Sequence, residues 1–338
     1  MISIATPRRF GARFLAAGLA ATVLFTAGCS DDDNGTNAGV AASVTVTSGN
    51  NQTGTVGAAA GSPIVVTVRD QNGNPVSGQT VTFTATGGGT IGTRTVTTNA
   101  QGQAQTTFTL GGTSGAQTVT ATVTGVANPA TFTFTGNAGT ASQLVVTGGN
   151  TQTGVVGVAL TNALVVTVRD ANGNPVTGQT VTFATTSGGV LATPSVTTNA
   201  QGQAQTTFRL GNTAGTQTVT AAVAGITTPA SFTFMGTASV ASSIVLVSGN
   251  NQTGAVNTAL AQPLTLEVRD AFGNPISGAA VTWTTSAGTF VGTPVATTTA
   301  NGRATAVLML PAAPGVVTVT ARLTNNAAVT MNFTATAT

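Results

Sequence analysis

One phrase is written three times: "VRDQNGNPVSGQTVTF" at Val68–Phe83, "VRDANGNPVTGQTVTF" at Val168–Phe183 and "VRDAFGNPISGAAVTW" at Val268–Trp283. Apolar residues alternate at either end, and Asp, Asn, Gly and Pro fill the middle. That pattern predicts two β-strands joined by a turn. The middle also fits the D-x-N-x-N opening of a calcium loop at Asp70, Asn72 and Asn74. Such a loop needs Gly at its sixth position and a bidentate Glu at its twelfth. Pro75 and Val81 stand there instead, and Phe272 fills the third position in the last copy. The turn reading assigns a role to every residue. Asp70 accepts bonds from nearby backbone N–H groups, Gly73 supplies a positive φ, Asn74 tolerates turn geometry and Pro75 ends strand pairing. Asp170, Gly173, Asn174 and Pro175 take the same roles in the second copy, and Asp270, Gly273, Asn274 and Pro275 in the third.

Around the phrase, whole copies align. Residues 41–138 match 141–238 without gaps at 63 of 98 positions, and 241–338 keeps the framework with one gap near its end. A period of this length suits a complete domain rather than a solenoid unit. The junctions "GNAGTAS" and "GTASVAS" are short and made of small residues. Within a copy, Ile64, Val66 and Val68 point one way while Val65, Thr67 and Arg69 point the other; Val81 and Phe83, Val119, Ala121 and Val123, and Phe132 and Phe134 continue the alternation. No window carries a helical stripe. About seven strands per copy, buried on one face, predict an all-β chain of three tandem immunoglobulin-like β-sandwiches.

Composition narrows the function. Only 5% of residues are charged, His and Tyr are absent, and all ten basic residues are Arg. Each repeat holds one Asp in its turn, so no carboxylate pair, triad or metal cluster assembles locally, and neither an enzyme nor a cofactor is expected. The net charge of +3 depends on Arg8, Arg9 and Arg13; without them seven Arg face seven acids. That balance offers no basic surface for nucleic acid; a monomer is expected.

The three early arginines, the apolar run "FLAAGLAATVLF" and the small residues after it read as a secretory signal over 1–28. Its apolar stretch falls short of the roughly 20 residues a spanning helix needs. Ala27-Gly28-Cys29, with the only cysteine of the chain, resembles the lipobox of bacterial lipoproteins, although Thr26 stands where that family usually has Leu. The resemblance implies a lipid on Cys29 and export to the outer membrane or cell surface. A plain cleavable signal followed by a free thiol is the alternative. "SDDDNGTNAG" then makes 29–40 an acidic, flexible tether.

The frame "V-x-V-x-D-x-x-G-N-P-V-x-G-x-x-V-x-F", with "TTNAQGQAQTTF" and "GAQTVTATV" after it, resembles the bacterial Ig-like group 1 repeat of the intimin and invasin adhesins. The resemblance covers all three repeats and implies a surface-exposed rod. Those adhesins hang from an outer-membrane β-barrel and many end in a lectin-like tip, whereas this sequence shows neither and stops at Thr338 within a repeat. Two functions are therefore weighed. One is a lipid-anchored stalk with a structural or adhesive role, its receptor a surface glycan or protein. The other is a module that binds a glycan or other ligand through Thr-rich strand faces such as "TVTFTAT". Three further features read as scaffold: "GGGTIG" at 87–92 as a flexible loop, Trp283 as core in the place of Phe83 and Phe183, and "NGR" at 301–303 as a turn.

Overall fold

The computed structural model describes residues 39–338. The signal sequence, Cys29 and all but the last two residues of the tether lie outside the described residues. The first domain contains β1 (Ser43–Ser48), β2 (Gln52–Thr55), β3 (Ile64–Arg69), β4 (Thr80–Ala85) and β5 (Thr90–Ile91). It continues with β6 (Thr95–Thr97), β7 (Gln103–Thr106), β8 (Phe108–Thr109), β9 (Gly115–Val123) and β10 (Ala130–Asn137). A three-stranded sheet, β1-β3-β7, faces a five-stranded one, β2-β10-β9-β4-β6, and β5 and β8 form a separate ribbon. The strands outnumber the seven expected because β2 (QTGT) and β7 (QAQT) carry almost no large apolar residue and β5 has only two residues, so their alternation does not register in sequence.

The alternating residues meet between the sheets. Ile64, Val66, Val68, Val81, Phe83, Val119, Ala121, Phe132 and Phe134 are all buried, and the Phe108 and Phe134 rings lie 4.5 Å apart. Each Val, Ile or Phe side chain among them contributes about 1.5–3 kcal/mol by leaving water, which holds the two sheets together without a disulfide. Thr67, expected to point outward, is buried as well; its hydroxyl pairs with that of Thr47 at 2.6 Å. In the third domain the same position is Glu267, which meets Arg269 at 2.9 Å and Arg303 at 3.7 Å.

The second domain repeats the layout between Ala141 and Thr237. The third, from Ala241 to Ala337, has a four-stranded sheet in place of the five-stranded one. There the Trp283 indole N–H donates to the Val295 carbonyl at 3.0 Å, in the segment where the other domains form their edge strand. Trp283 is half-buried, its ring 5.8 Å from Phe333.

Two local expectations change. The glycine stretch at 87–92 is not a loose loop, since β5 pairs with β8. A Cβ on Gly89 would stand 2.4 Å from the Phe108 ring, so this glycine leaves room for an aromatic; in the third domain the pair becomes Thr289 and Leu308. Nor does Pro75 end pairing. It bridges Arg69 through bonds made by its neighbours, Val76 N–H to Val68 O and Asp70 N–H to Asn74 O, each 3.0 Å, so the N–H that proline lacks is not called on.

β1 runs from the pole that carries Asp70 toward the opposite pole. There β2 lies parallel to the end of β10, and Gly136 pairs with Gly115. Each domain thus has an entry pole, built around the repeated turn, and an exit pole, built around the β8–β9 loop.

Candidate functional site: the joint between domains

The turn organises itself around its aspartate. Asn72 N–H and Asn74 N–H donate to Asp70 Oδ1 at 2.9 and 2.8 Å, and Gly73 N–H donates to Asp70 O at 3.1 Å. Gly73 holds the left-handed position at φ 82, which leaves Asn74 in ordinary geometry, so its side chain is not needed for the turn. Arg69 Nη1 closes the loop by donating to Gly73 O at 2.6 Å. Asp170 and Asp270 accept the same pair of backbone bonds.

In the second and third copies the aspartate and asparagine also reach across the domain boundary. Gly139 N–H of the linker donates to Asp170 Oδ2 at 2.8 Å, and Ser239 N–H donates to Asp270 Oδ2 at 2.9 Å. Asn174 Nδ2 donates both to Asp170 Oδ2 at 2.9 Å and to Gly112 O of the first domain at 2.8 Å. Its Oδ1 accepts from Ser114 N–H at 2.8 Å. Asn274 repeats the arrangement, donating to Asn212 O and accepting from Ala214 N–H, each at 2.8 Å. One amide thereby saturates a carbonyl and an N–H that the preceding domain leaves at its exit pole.

Burial separates the copies. Asp170 and Asp270 are 1% and 2% exposed, and Asn174 and Asn274 are buried with them, whereas Asp70 is half-buried and Asn74 exposed. Burial alone raises the Asp170 and Asp270 carboxyls. The side-chain amides of Asn174 and Asn274 and the converging backbone N–H groups outweigh it, so both sit below the ordinary carboxylate range. Asp70 is lowered chiefly by the backbone N–H of Asn74. These oxygens are engaged by N–H donors, and among the described residues no three His, Cys, Asp or Glu side chains come together.

A glutamine shapes the donor side. Gln117 is 2% exposed; its Oε1 accepts from Gly111 N–H and its Nε2 donates to Thr113 O, both at 2.8 Å. Gln217 makes the same two bonds to Gly211 and Thr213 at 2.8 Å. They hold the loop whose carbonyl and N–H the next domain's asparagine captures. At the second joint Phe272 adds an apolar contact, since a Cβ on Gly157 of the preceding domain would lie 3.1 Å from its ring. The residue that disqualified a calcium loop is thus a joint residue.

Sequence reasoning placed the aspartates and asparagines in turns and did not foresee the contacts between domains. One signal was present: Asn74, Asn174 and Asn274 recur after a glycine that already satisfies the turn. The Thr-rich faces direct hydroxyls to adjacent strands, as in Thr86–Thr118 at 2.7 Å and Thr122 to Thr82 O at 3.2 Å. In the "NGR" turn, Thr299 donates to Asn301 Oδ1 at 2.6 Å.

Comparison with known proteins gives one domain family. The model of the bacterial Ig-like domain (group 1) matches residues 60–135, 142–235 and 243–336. The inverse autotransporter adhesin YeeJ of Escherichia coli K12 is 34% identical over 285 residues, which are 79% of this chain and 11% of that protein. The chain therefore spans about a tenth of that relative's length. Among solved structures, the Escherichia coli adhesin FdeC superposes with a TM-score of 0.51 at 23% identity, covering 88% of this chain and 98% of that one. Invasin, a bacterial integrin-binding protein, covers 87% of this chain and 60% of its own at 23% identity, with a TM-score of 0.46.

Proposed function

Because the chain belongs to the bacterial Ig-like domain (group 1) family, we propose that it works as a non-enzymatic stalk at the bacterial cell surface, with a structural or adhesive role. The single observation that carries this reading is the repeated joint. Two successive boundaries use the same amide-centred bonds, so each domain's entry pole is fixed on its predecessor's exit pole. A protein that needed only three independent modules would gain nothing from buried asparagines at their boundaries, where a polar side chain is tolerated only when fully bonded.

The stalk is anchored by lipid on Cys29, at the entry end, and projects its third domain outward. The adhesive role draws on the relatives, which are adhesins. Two experiments test the reading. Labelled palmitate is expected to mark the wild type but not Cys29→Ser, which leaves the membrane fraction; unlabelled wild type ends the anchor. Cells displaying the full chain are expected to bind immobilised glycans or host-matrix proteins more than cells without it. Equal binding across such a panel removes the adhesive role and leaves the structural one.

A further inference from the structure

The exit pole of the third domain keeps a backbone carbonyl at Ala312 but departs from the other two at the donor the joint uses and at the groups that brace it. Leu110, Leu210 and Leu310 are equivalent buried residues, and Gly115, Gly215 and Gly315 each open the following strand. Between them the first two domains read "GGTS" and "GNTA", whereas the third reads "PAAP". Pro314 occupies the place of Ser114 and Ala214, whose N–H groups donate to the next domain's asparagine. Proline has no N–H to give.

The bracing changes in step. Val317, 1% exposed, replaces Gln117 and Gln217. A valine at that position of the other domains would strand the Gly111 or Gly211 N–H that the glutamine satisfies. In the third domain that residue is Pro311, again without an N–H. The two prolines and the valine therefore form a consistent set: the donor to the joint, the donor to the brace and the brace itself are lost together.

We propose that the third domain is a terminator of the rod. An Ig-like domain placed after it finds no N–H for its asparagine oxygen and no glutamine-braced loop, so it is held loosely. The same chemistry governs contact between copies of the chain. The Asp70–Asn74 pole carries the same Asp and Asn as the two joints, with Asn74 exposed, and the exit poles of the first two domains are engaged within the chain. Pro314 denies the third domain's exit pole the donor that such a contact would use. Head-to-tail contacts that do not close generate filaments, and this pole withholds one.

The test transplants the terminator into the full chain. In a Cys29→Ser background, spin labels at Thr84→Cys and Ala184→Cys report the distance between the first and second domains. With the native loop a single narrow distance distribution is expected. Changing Gly111→Pro, Gly112→Ala, Thr113→Ala, Ser114→Pro and Gln117→Val is expected to broaden it at least twofold. A distribution that stays narrow in the transplanted, folded chain overturns the proposal. The converse arm appends a second copy of residues 138–238 after Thr338, with labels in the third and fourth domains. Its distribution is expected to be broad on the native loop. It narrows to the width of the first pair once Pro311→Gly, Ala312→Asn, Ala313→Thr, Pro314→Ala and Val317→Gln restore the joint. A narrow distribution on the native loop refutes the terminator even if the transplant fails to fold.

Discussion

Replacing Asn74 and Asn274 by Ala makes the same chemical change at equivalent turns, yet only one of them sits in a joint. The Asn74 side chain donates to Asp70 Oδ2 at 3.3 Å in an exposed setting, so its loss costs at most a few tenths of a kcal/mol. Asn274 gives up a bond to the Asp270 carboxylate and the two that cross to Asn212 O and Ala214 N–H. At about 1 kcal/mol for each neutral bond, and somewhat more for the one to the carboxylate, Asn274→Ala costs about 3 kcal/mol. The joint breaks when either neighbour unfolds, so its energy is credited to whichever of the second and third domains melts first. For a domain of about 100 residues this lowers the midpoint by about 15 °C. Calorimetry of the full chain records the transitions, and the single tryptophan, Trp283, identifies the one belonging to the third domain. Equal shifts for Asn74→Ala and Asn274→Ala would refute the joint and return the asparagine to turn chemistry alone.

The joint's aspartates also set a pH dependence. Asp170 and Asp270 sit below the ordinary carboxylate value when folded, so their contribution is complete above about pH 5, and it disappears as pH falls past the ordinary value and through the lowered native ones. The melting gap between wild type and Asp270→Asn is expected to narrow steadily from pH 5 toward pH 2, and a constant gap would contradict this. At the second domain's ribbon, a Cβ on Gly189 would lie 2.3 Å from the Phe208 ring, so Gly189→Thr costs about 2–3 kcal/mol by overpacking. Adding Phe208→Leu, which copies the Thr289–Leu308 pair, is expected to recover much of that loss in urea unfolding; additive costs would reject the pairing. Because the turn carboxylates are engaged by N–H donors, calcium and EDTA are each expected to leave the melting temperature unmoved. A shift of several degrees with calcium would reveal a native-state site.

The β-sandwich was legible in the sequence because one face of each strand is buried, and Val66, Val81 and Phe132 announce that face by their spacing alone. Short or polar elements were not, since Thr90–Ile91 carries too few residues, and Gln52–Thr55 and Gln103–Thr106 too few apolar ones, to show a period. Thr67 misled because strand alternation presumes that the second face meets water, whereas here Thr47 covers it. The joint escaped notice for a different reason. A turn and a turn that also clasps its neighbour use the same Asp, Gly and Asn, and the difference lies in groups about 60 residues upstream, such as Ser114 N–H for Asn174. What does register in sequence is the joint's loss: Pro311, Pro314 and Val317 break the repeat together.

Hydrogen-bonded joints set the domains end to end. Small-angle scattering of residues 39–338 tests this most directly when paired with deletion of 141–240. A sandwich built from strands of five to nine residues is on the order of 35–40 Å long, so three in line measure on the order of 100 Å or more. The deletion brings Asn274 to Gly112 and Ser114, which offer the same carbonyl and N–H as Asn212 and Ala214, so the joint re-forms. The account predicts a maximum dimension shorter by about one domain, with an unchanged rod-like cross-section. A compact particle whose radius of gyration barely changes on deletion would contradict it.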